Sequence, residues 1–337
     1  MTLRERFHAT MEANPVVDCC PVIEWAIWWD KTVAFWETEW LPKGLSNQEL
    51  YCYWGLDRHI QFWFPTQLPE CPVPKSHGAP LIESEADYLA LKPVLLPKDA
   101  VERMLPRIEE AQFLHKGGEA LIWYTLDGFF WFPRKLLGIE PHLYAFYDRP
   151  ELYHRICEDL LEWQLIVVEK FSHYIQADFM TIAEDMSYNN GPMISEDLFE
   201  EFIAPYYKRL TPAVKQHGTR VIVDSDGDIS LTVPWFIRCG AEGILPLEKQ
   251  SGLDIGSLQK MYPDFLFIGG FDKMCLLHGP KAIDAEYERI LPMIRRGRFI
   301  PSIDHQTPPG VTMENYRYYL SRLRQLNTQA CRDAGKQ

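Results

Sequence analysis

The sequence predicts an α/β fold, a (β/α)8 TIM barrel preceded by an aromatic-rich N-terminal extension. Five short apolar runs in the second half of the chain each end in an acidic residue or an acid–histidine pair, and amphipathic helical stretches separate them. This alternation without hairpin signals indicates βαβ units and a parallel sheet. An open doubly wound sheet would carry a glycine-rich phosphate loop after an early strand, and the glycines of this chain form none. A closed barrel is therefore preferred.

The predicted elements follow in chain order. A helix over residues 97–112 contains Pro106, where a kink is expected, and a long helix over residues 149–174 begins at Pro150, which suits a first turn. Ser195 is a good N-cap, with acids in the turn after it. Further helices are predicted over residues 233–239, 255–261, 280–296 and 313–325. Strands are predicted over residues 120–124, 179–182, 221–223, 244–247, 266–268 and 299–303.

Length and composition bound the function. The 337 residues suit one domain over residues 1–337, with 1–80 as N-terminal cover and first strand and 81–330 as the remainder of the barrel. A net charge of −13 argues against nucleic-acid binding and an anionic membrane surface. No run approaches the roughly 20 apolar residues of a spanning helix, and the eight cysteines lack C-x-x-C spacing. A cytoplasmic protein with reduced thiols is expected.

The second half of the chain resembles a known family. Residues 299–311 read FIPSIDHQTPPGV and are followed by Glu314-Asn315-Tyr316, which resembles the C-terminal signature of the uroporphyrinogen decarboxylase superfamily. GGFDK at residues 269–273 and the stretch over residues 177–206 add to the resemblance, which covers roughly residues 149–325. It implies a (β/α)8 barrel with its site at the mouth, meaning the carboxyl ends of the strands.

Two branches of that superfamily are poorly matched. The decarboxylase branch carries Arg-Gln-Ala-Gly-Arg after the first strand, whereas residues 21–30 read PVIEWAIWWD, without arginine. An acidic mouth would also repel a polycarboxylate substrate. The zinc methyltransferase branch carries His-x-Cys after the fifth strand, whereas residues 224–228 read DSDGD, so the ligands that activate a thiol are missing. Transfer of a methyl group from an ether to a corrinoid needs no thiolate and stays open.

The predicted catalytic residues lie at two strand ends. His305 follows Asp304, and a histidine oriented by a neighbouring acid can donate a proton near neutral pH. Glu184 and Asp185 are the next candidates, as general acid or metal ligand. The alternatives are a structural histidine bonded within its loop and acids that cap a helix or face solvent.

The predicted binding residues are aromatic and acidic. Rings at a barrel mouth would stack on an aromatic substrate, although core packing is the alternative for most of them. The substrate-binding candidates are Glu24, Trp25, Trp28, Trp29, Trp123, Asp127, Phe129 and Asp272.

A cation site is a further expectation. Asp224, Asp226 and Glu248, with His305, could bind zinc or another divalent cation, and a surface turn is the alternative. Residues 224–228 resemble a calcium loop, but Pro234 and Trp235 stand where its bidentate glutamate belongs.

The leading function is methyl transfer from a small methylated compound, such as an aromatic methyl ether, to a corrinoid. The chain lacks an Asp-x-His-x-x-Gly corrinoid motif, so the cobalamin would be carried by a separate partner protein. Decarboxylation of a tetrapyrrole such as uroporphyrinogen, or of another acid, is the enzymatic alternative. The third hypothesis is a barrel that binds a corrinoid or porphyrin without catalysis.

Overall fold

A computed structural model describes residues 1–12 and 20–334 of the chain. Within these ranges the strands are β1 His59–Trp63, β2 Leu121–Asp127, β3 Phe179–Ala183, β4 Ser187–Tyr188, β5 Gly191–Pro192, β6 Arg220–Asp224, β7 Gly243–Leu245, β8 Leu266–Phe271 and β9 Phe299–Ile303. The helices are α1 Leu3–Thr10, α2 Asp30–Glu39, α3 Asn47–Trp54, α4 Glu85–Leu91, α5 Leu105–Lys116, α6 Trp131–Leu137, α7 Ile139–Asp148, α8 Pro150–Ser172, α9 Glu196–Phe202, α10 Ala204–Lys215, α11 Val233–Arg238, α12 Ile255–Met261, α13 Pro280–Arg296 and α14 Met313–Ala334.

Seven of the described strands form one curled parallel sheet in the order β1-β2-β3-β6-β7-β8-β9. Every neighbouring pair in this sheet is parallel. β4 and β5 form a small antiparallel hairpin beyond the end of β3. The predicted α/β, TIM-barrel-like fold is confirmed, and the carboxyl ends of all seven strands meet at one mouth.

Residues 20–24 bridge the two edge strands of the sheet without forming a strand ladder. The Val22 amide donates to Oδ2 of Asp57 at 2.8 Å, and the Asp57 amide donates to the Val22 carbonyl at 2.9 Å. On the other side, Oε2 of Glu24 accepts from Ser302 Oγ at 2.7 Å. Side chains thus replace part of the backbone ladder here, and Pro21 has no amide to donate. The first barrel position is occupied by this segment rather than by a regular strand.

Helix α1 closes the end of the barrel opposite the mouth. Thr2 and Glu5 form a capping box that starts the helix. Phe7 is fully buried and stacks on Phe179 of β3, with ring centroids 5.2 Å apart. Arg4 and His8 both contact the buried Asp178 carboxylate. The helix is therefore held by an apolar contact and by an ionic one.

The aromatic N-terminal region packs mainly as a cover against the C-terminal helix. Trp28, Trp36 and Trp54 are buried and meet the Tyr316 ring of α14, with centroids 6.1, 4.9 and 4.7 Å away. Trp36 also donates from its indole nitrogen to the Val311 carbonyl at 2.7 Å. These rings supply core area that joins α2 and α3 to the barrel.

The predicted helix over residues 97–112 is different in the structure. A short 3-10 turn covers residues 102–104, and α5 then begins at Leu105, so Pro106 lies in the first turn of the helix rather than inside it. Proline is tolerated there because that amide has no partner within the helix. The other predicted helices and strands are confirmed to within a few residues, apart from the C-terminal helix, which continues to Ala334.

No helix in the described part of the chain is long and apolar enough to cross a membrane.

Candidate active site

The interior of the barrel changes from apolar to polar toward the mouth. Its middle is filled by the side chains of Ile23, Trp123, Phe179, Ile222, Leu245, Ile268 and Ile300. Side chains alternate along a strand, so the inward residues nearer the mouth are Thr125, Thr181 and Asp224. The Oγ1 atoms of Thr125 and Thr181 lie 2.8 Å apart, and Gln61 donates to Thr125 at 2.8 Å. This polar layer forms the floor of the candidate site.

Two buried glutamates, Glu184 and Glu24, hold the loops and strand ends that form the mouth. Oε2 of Glu184 accepts from the Phe129 amide at 3.2 Å and from the Tyr207 hydroxyl at 2.5 Å, and Oε1 accepts from the Phe130 amide. A Cβ at Gly128 would lie only 2.1 Å from Oε2, so the carboxylate fits over a glycine. Burial raises the pKa of Glu184 to about 7, against these hydrogen bonds. Glu184 thus fixes the loop after β2, and both of its oxygens are engaged.

Glu24 takes the equivalent place beside β9. Its Oε2 accepts from Ser302 Oγ and, at 3.3 Å, from the Ile303 amide. The residue is fully buried, and burial raises its pKa to about 7 while the bond from Ser302 opposes the rise. Like Glu184, it orders a strand end, here that of β9 next to Asp304 and His305.

Four acids crowd the centre of the mouth: Asp185, Asp224, Asp226 and Glu248. The Asp226 amide donates to Oδ1 of Asp185 at 3.3 Å, and the Gly227 amide donates to Oε2 of Glu248 at 3.2 Å. Burial, together with the negative charges of Asp185 and Glu248, raises the pKa of Asp226 to about 8. Burial and neighbouring carboxylates also raise the pKa of Asp185 and, strongly, that of Asp224. Like charges at this spacing favour retention of protons by the cluster near neutral pH.

One lysine partly neutralises this cluster. Lys273 Nζ lies 3.4 Å from Oε1 of Glu248 and 3.5 Å from Oδ1 of Asp304. Asp304 is buried and accepts from the Lys249 and Lys273 amides at 2.9 and 3.1 Å. Burial raises the pKa of Asp304 to about 6, and the Lys273 charge opposes that rise. Asp304 therefore anchors the loops after β7 and β8, and its neighbour His305 faces the acids.

His305 stands between an acid and an aromatic ring. Its Nε2 lies 3.8 Å from Oδ2 of Asp226, and its ring meets the Trp25 indole edge-on with centroids 5.8 Å apart. Trp25 is fixed in turn by a 2.9 Å bond from Nε1 to the Ile303 carbonyl. Burial and the Lys273 charge lower the pKa of His305. A ring placed in this way can exchange a proton with Asp226 and with a substrate over the barrel floor.

The remaining predicted aromatics are divided between core and surface. Trp28, Trp123 and Phe129 are buried, and Trp28 also lines a surface recess next to Trp29, so substrate contact by these rings stays a prediction. Trp123 stacks on Phe179 inside the barrel, and Phe129 stacks on Tyr206. Trp29 is 45% exposed on the rim, so it and Trp25 are the candidates still available to a ligand.

Asp127 and Asp272 are engaged at the edge of the mouth. Oδ2 of Asp127 accepts from Thr66 Oγ1 at 2.6 Å and from Lys135 Nζ at 2.8 Å. Oδ1 of Asp272 accepts from Gln250 Nε2 at 2.6 Å and from the Met274 amide at 2.8 Å. Both carboxylates therefore order loops, and substrate contact by either stays a prediction.

The predicted cation site finds no support in the geometry. Among the described residues, no three His, Cys, Asp or Glu side chains are grouped so that they could hold one metal ion. Asp224, Asp226 and Glu248 do lie near one another, but Glu248 is engaged by Lys273 and the Gly227 amide. The reaction proposed below therefore has no step through a resident metal.

Sequence reasoning missed three residues that organise the site: Lys273, Tyr207 and Ser302. Lys273 follows Asp272 just after a strand, and this position at the mouth could have identified it as a site residue. Tyr207 and Ser302 lie on α10 and β9, at positions typical of core residues, and only the fold brings them to Glu184 and Glu24.

Comparisons with known proteins identify one family and show distant similarity to solved structures. A family model described as "Uroporphyrinogen decarboxylase (URO-D)" matches residues 134–326. No curated protein matches the chain significantly. A solved structure titled as a putative vitamin-B12 independent methionine synthase from Listeria monocytogenes aligns with 94% of this chain and 97% of its own, at 11% identity and a TM-score of 0.44. Xylanase B from Clostridium stercorarium F9 aligns with 59% of this chain and 71% of its own, at 10% identity and a TM-score of 0.34. Similarity at these scores carries no functional argument.

Proposed function

Since the chain belongs to the uroporphyrinogen decarboxylase (URO-D) family, we propose that it is an enzyme of that family that transfers a methyl group from a small methyl ether to a corrinoid carried by a separate protein. The observation that carries the proposal is the pairing of His305 with Asp226, 3.8 Å apart, over an acidic mouth and beside Trp25. This arrangement supplies a proton and an aromatic edge, which are the two things that cleavage of an aryl methyl ether needs from the protein.

In the proposed reaction the bond between the methyl carbon and the ether oxygen breaks, and its electron pair stays on oxygen. The Asp226–His305 pair gives that oxygen a proton, so the leaving group departs as a neutral alcohol or phenol. The methyl group passes to the reduced corrinoid of the partner protein, which is a co-substrate and supplies the electron pair for the new bond. The acids around Asp226 help it to keep a proton to donate.

The charge of the mouth argues against the family's namesake substrate. Lys273 is engaged by Glu248 and Asp304, and the remaining acids of the cluster, Asp185, Asp224 and Asp226, have no lysine or arginine paired with them among the described residues. A substrate with many carboxylates would place like charges together in a partly buried site, which is costly. A neutral methyl ether has no such cost.

The test is turnover with a reduced corrinoid protein and a panel of methoxylated aromatics. Methylcobalamin absorbance and the demethylated phenol should appear together in equal amounts. Removal of a general acid typically costs about 10²- to 10⁴-fold in rate, so His305→Ala and Asp226→Asn should each lose turnover to that extent. His173→Ala is the matched control, because His173 is exposed and lies 3.8 Å from Glu169 on the outer surface.

Four outcomes would refute the proposal. Silence across the panel with a competent corrinoid protein is one, and full activity of His305→Ala is another. Carbon dioxide released from uroporphyrinogen would favour the decarboxylase reading. A stoichiometric spectral shift of a corrinoid or porphyrin without turnover would favour a carrier.

A further inference from the structure

A second concave site lies beside the mouth, between α6 and the proline-rich arm, which is the segment of residues 65–81 that follows β1. The cavity measures about 710 Å³, a size typical of small-molecule sites. It is lined by apolar side chains and by four basic ones: His77, Arg103, Arg134 and Lys135. Among the described residues that line it there is no aspartate or glutamate, although the chain carries 47 acids against 34 lysines and arginines.

The walls of the cavity are fixed by backbone hydrogen bonds. The Leu81 amide donates to the Leu136 carbonyl at 2.8 Å, and the Ile139 amide donates to the Gly78 carbonyl at 3.0 Å. At the other end of the arm, the Leu96 amide donates to the Thr66 carbonyl at 2.8 Å. The arm is thus tied to the barrel at both ends, and the cavity is a preformed feature of the fold.

Arg134 is the cation that this cavity leaves available. Lys135 is paired with Asp127 at 2.8 Å, and Arg103 is paired with Asp99 at 2.9 Å. Arg134 has no described carboxylate within ion-pair distance, although from farther away its charge opposes the rise that burial causes in the pKa of Asp185 at the mouth. Its guanidinium lies over the Trp131 ring, 5.2 Å from the centroid. A guanidinium held on an aromatic face keeps its donors free for a planar anion.

We propose that this cavity binds an apolar carboxylate, with its rings or chain on the apolar walls and its carboxylate on Arg134. An apolar anion satisfies both properties of the site, because Trp131, Leu81 and Ile139 provide area to bury and Arg134 provides a bidentate partner. The acids at the mouth repel such a ligand, whereas the lining of this cavity does not. The proposal does not depend on the proposed methyl transfer.

The test uses 2-naphthoate as probe and 2-naphthamide as its neutral analogue, with binding followed by calorimetry on the whole chain. The wild type should bind the acid at least 10-fold more tightly than the amide. Arg134→Gln should remove that preference, and Arg134→Lys should keep part of it. Arg317→Gln is the matched control, because Arg317 also lies over a tryptophan, 4.0 Å from the Trp40 centroid, and does not line this cavity.

Alkylation of Cys71 locates the probe, since this thiol lines the cavity. Saturating 2-naphthoate should slow its reaction with iodoacetamide, followed by peptide mass spectrometry, at least 5-fold. Equal affinity for acid and amide, an unchanged preference in Arg134→Gln, or unprotected Cys71 would each overturn the proposal. Circular dichroism of the variants separates a lost site from a lost fold.

Discussion

Asp178 is predicted to be the buried charge on which the stability of the scaffold depends most, and Asp178→Asn tests this. Its carboxylate is buried and accepts from Arg4 Nε at 2.8 Å, His8 Nε2 at 2.9 Å, His115 Nε2 at 3.2 Å and the Ile122 amide at 2.9 Å. Asparagine removes the charge and turns one acceptor into a donor that faces other donors. Breaking a buried ionic cluster costs about 3–5 kcal/mol.

The expected fall in melting temperature follows from the length of the chain. With an unfolding entropy of roughly 2.1 cal/mol/K per residue, 337 residues convert that cost into a loss of about 4–7 °C. Differential scanning calorimetry or a circular dichroism melt measures it. Asp284→Asn is the control, because Asp284 accepts from Tyr318 and Arg322 on the surface and should cost about 1 kcal/mol or less.

The loss of stability caused by Asp178→Asn should depend on pH in a predictable direction. Burial alone would raise the pKa of Asp178, but bonds from His115, His8 and the Ile122 amide, with the Arg4 charge, hold it well below its usual range. Because the pKa of Asp178 is lower in the folded chain than the value of about 3.9 in the unfolded chain, its ionised carboxylate stabilises the fold fully at a pH above about 3.9. This contribution is lost as the pH falls below that value. The difference between wild type and Asp178→Asn should therefore be full near pH 7 and shrink below about pH 4. A loss no larger than that of Asp284→Asn at pH 7 would mean that the buried cluster around Asp178 does not stabilise the fold.

Three further predictions concern the mouth and the cavity. Gly227 has a φ of +81°, and a Cβ there would lie 2.8 Å from the Tyr188 carbonyl oxygen. Gly227→Ala should therefore displace Asp226 and lower turnover at least 10-fold, while the circular dichroism spectrum stays the same. Unchanged turnover would count against Asp226 as proton donor. Because the pKa of Asp226 is raised to about 8, kcat/KM should decline as pH rises above that value, and a flat profile from pH 6 to 9 would contradict its role. A Cβ at Gly138 would lie 2.7 Å from the Gly78 carbonyl oxygen. Gly138→Ala should therefore weaken 2-naphthoate binding at least 3-fold, measured by calorimetry. Unaltered affinity would mean that the proline-rich arm does not shape the cavity.

Much of the fold was readable from the sequence, because buried parallel strands are short apolar runs and their carboxyl ends carry the polar residues. Asp304 and His305 could be placed at the mouth on that basis. The first barrel position was less readable, since residues 20–24 are held by the side chains of Asp57 and Glu24 rather than by a ladder. Side-chain bonds of this kind leave no periodic signal.

The roles of individual site residues depended on long-range contacts. Glu184 was predicted as a catalytic acid, but the Phe129 and Phe130 amides and the Tyr207 hydroxyl take up its carboxylate, and each comes from a distant part of the chain. Trp28 follows the segment at the first barrel position, and its ring packs against Tyr316 of the last helix, a contact that the local sequence does not predict. A local pattern shows where a strand ends and cannot show which later element packs on that end.

In the proposed reaction the mouth cleaves a methyl–oxygen bond and returns a proton to the oxygen. The most direct measurement is a single turnover of an 18O-methoxy arene with a reduced corrinoid protein, analysed by mass spectrometry of the product. The phenol should retain the 18O label and form in equal amount to methylcobalamin, and both products should be lost in His305→Ala and Asp226→Asn. Release of the label from the ring, or methylcobalamin formation that survives both substitutions, would contradict the proposed reaction.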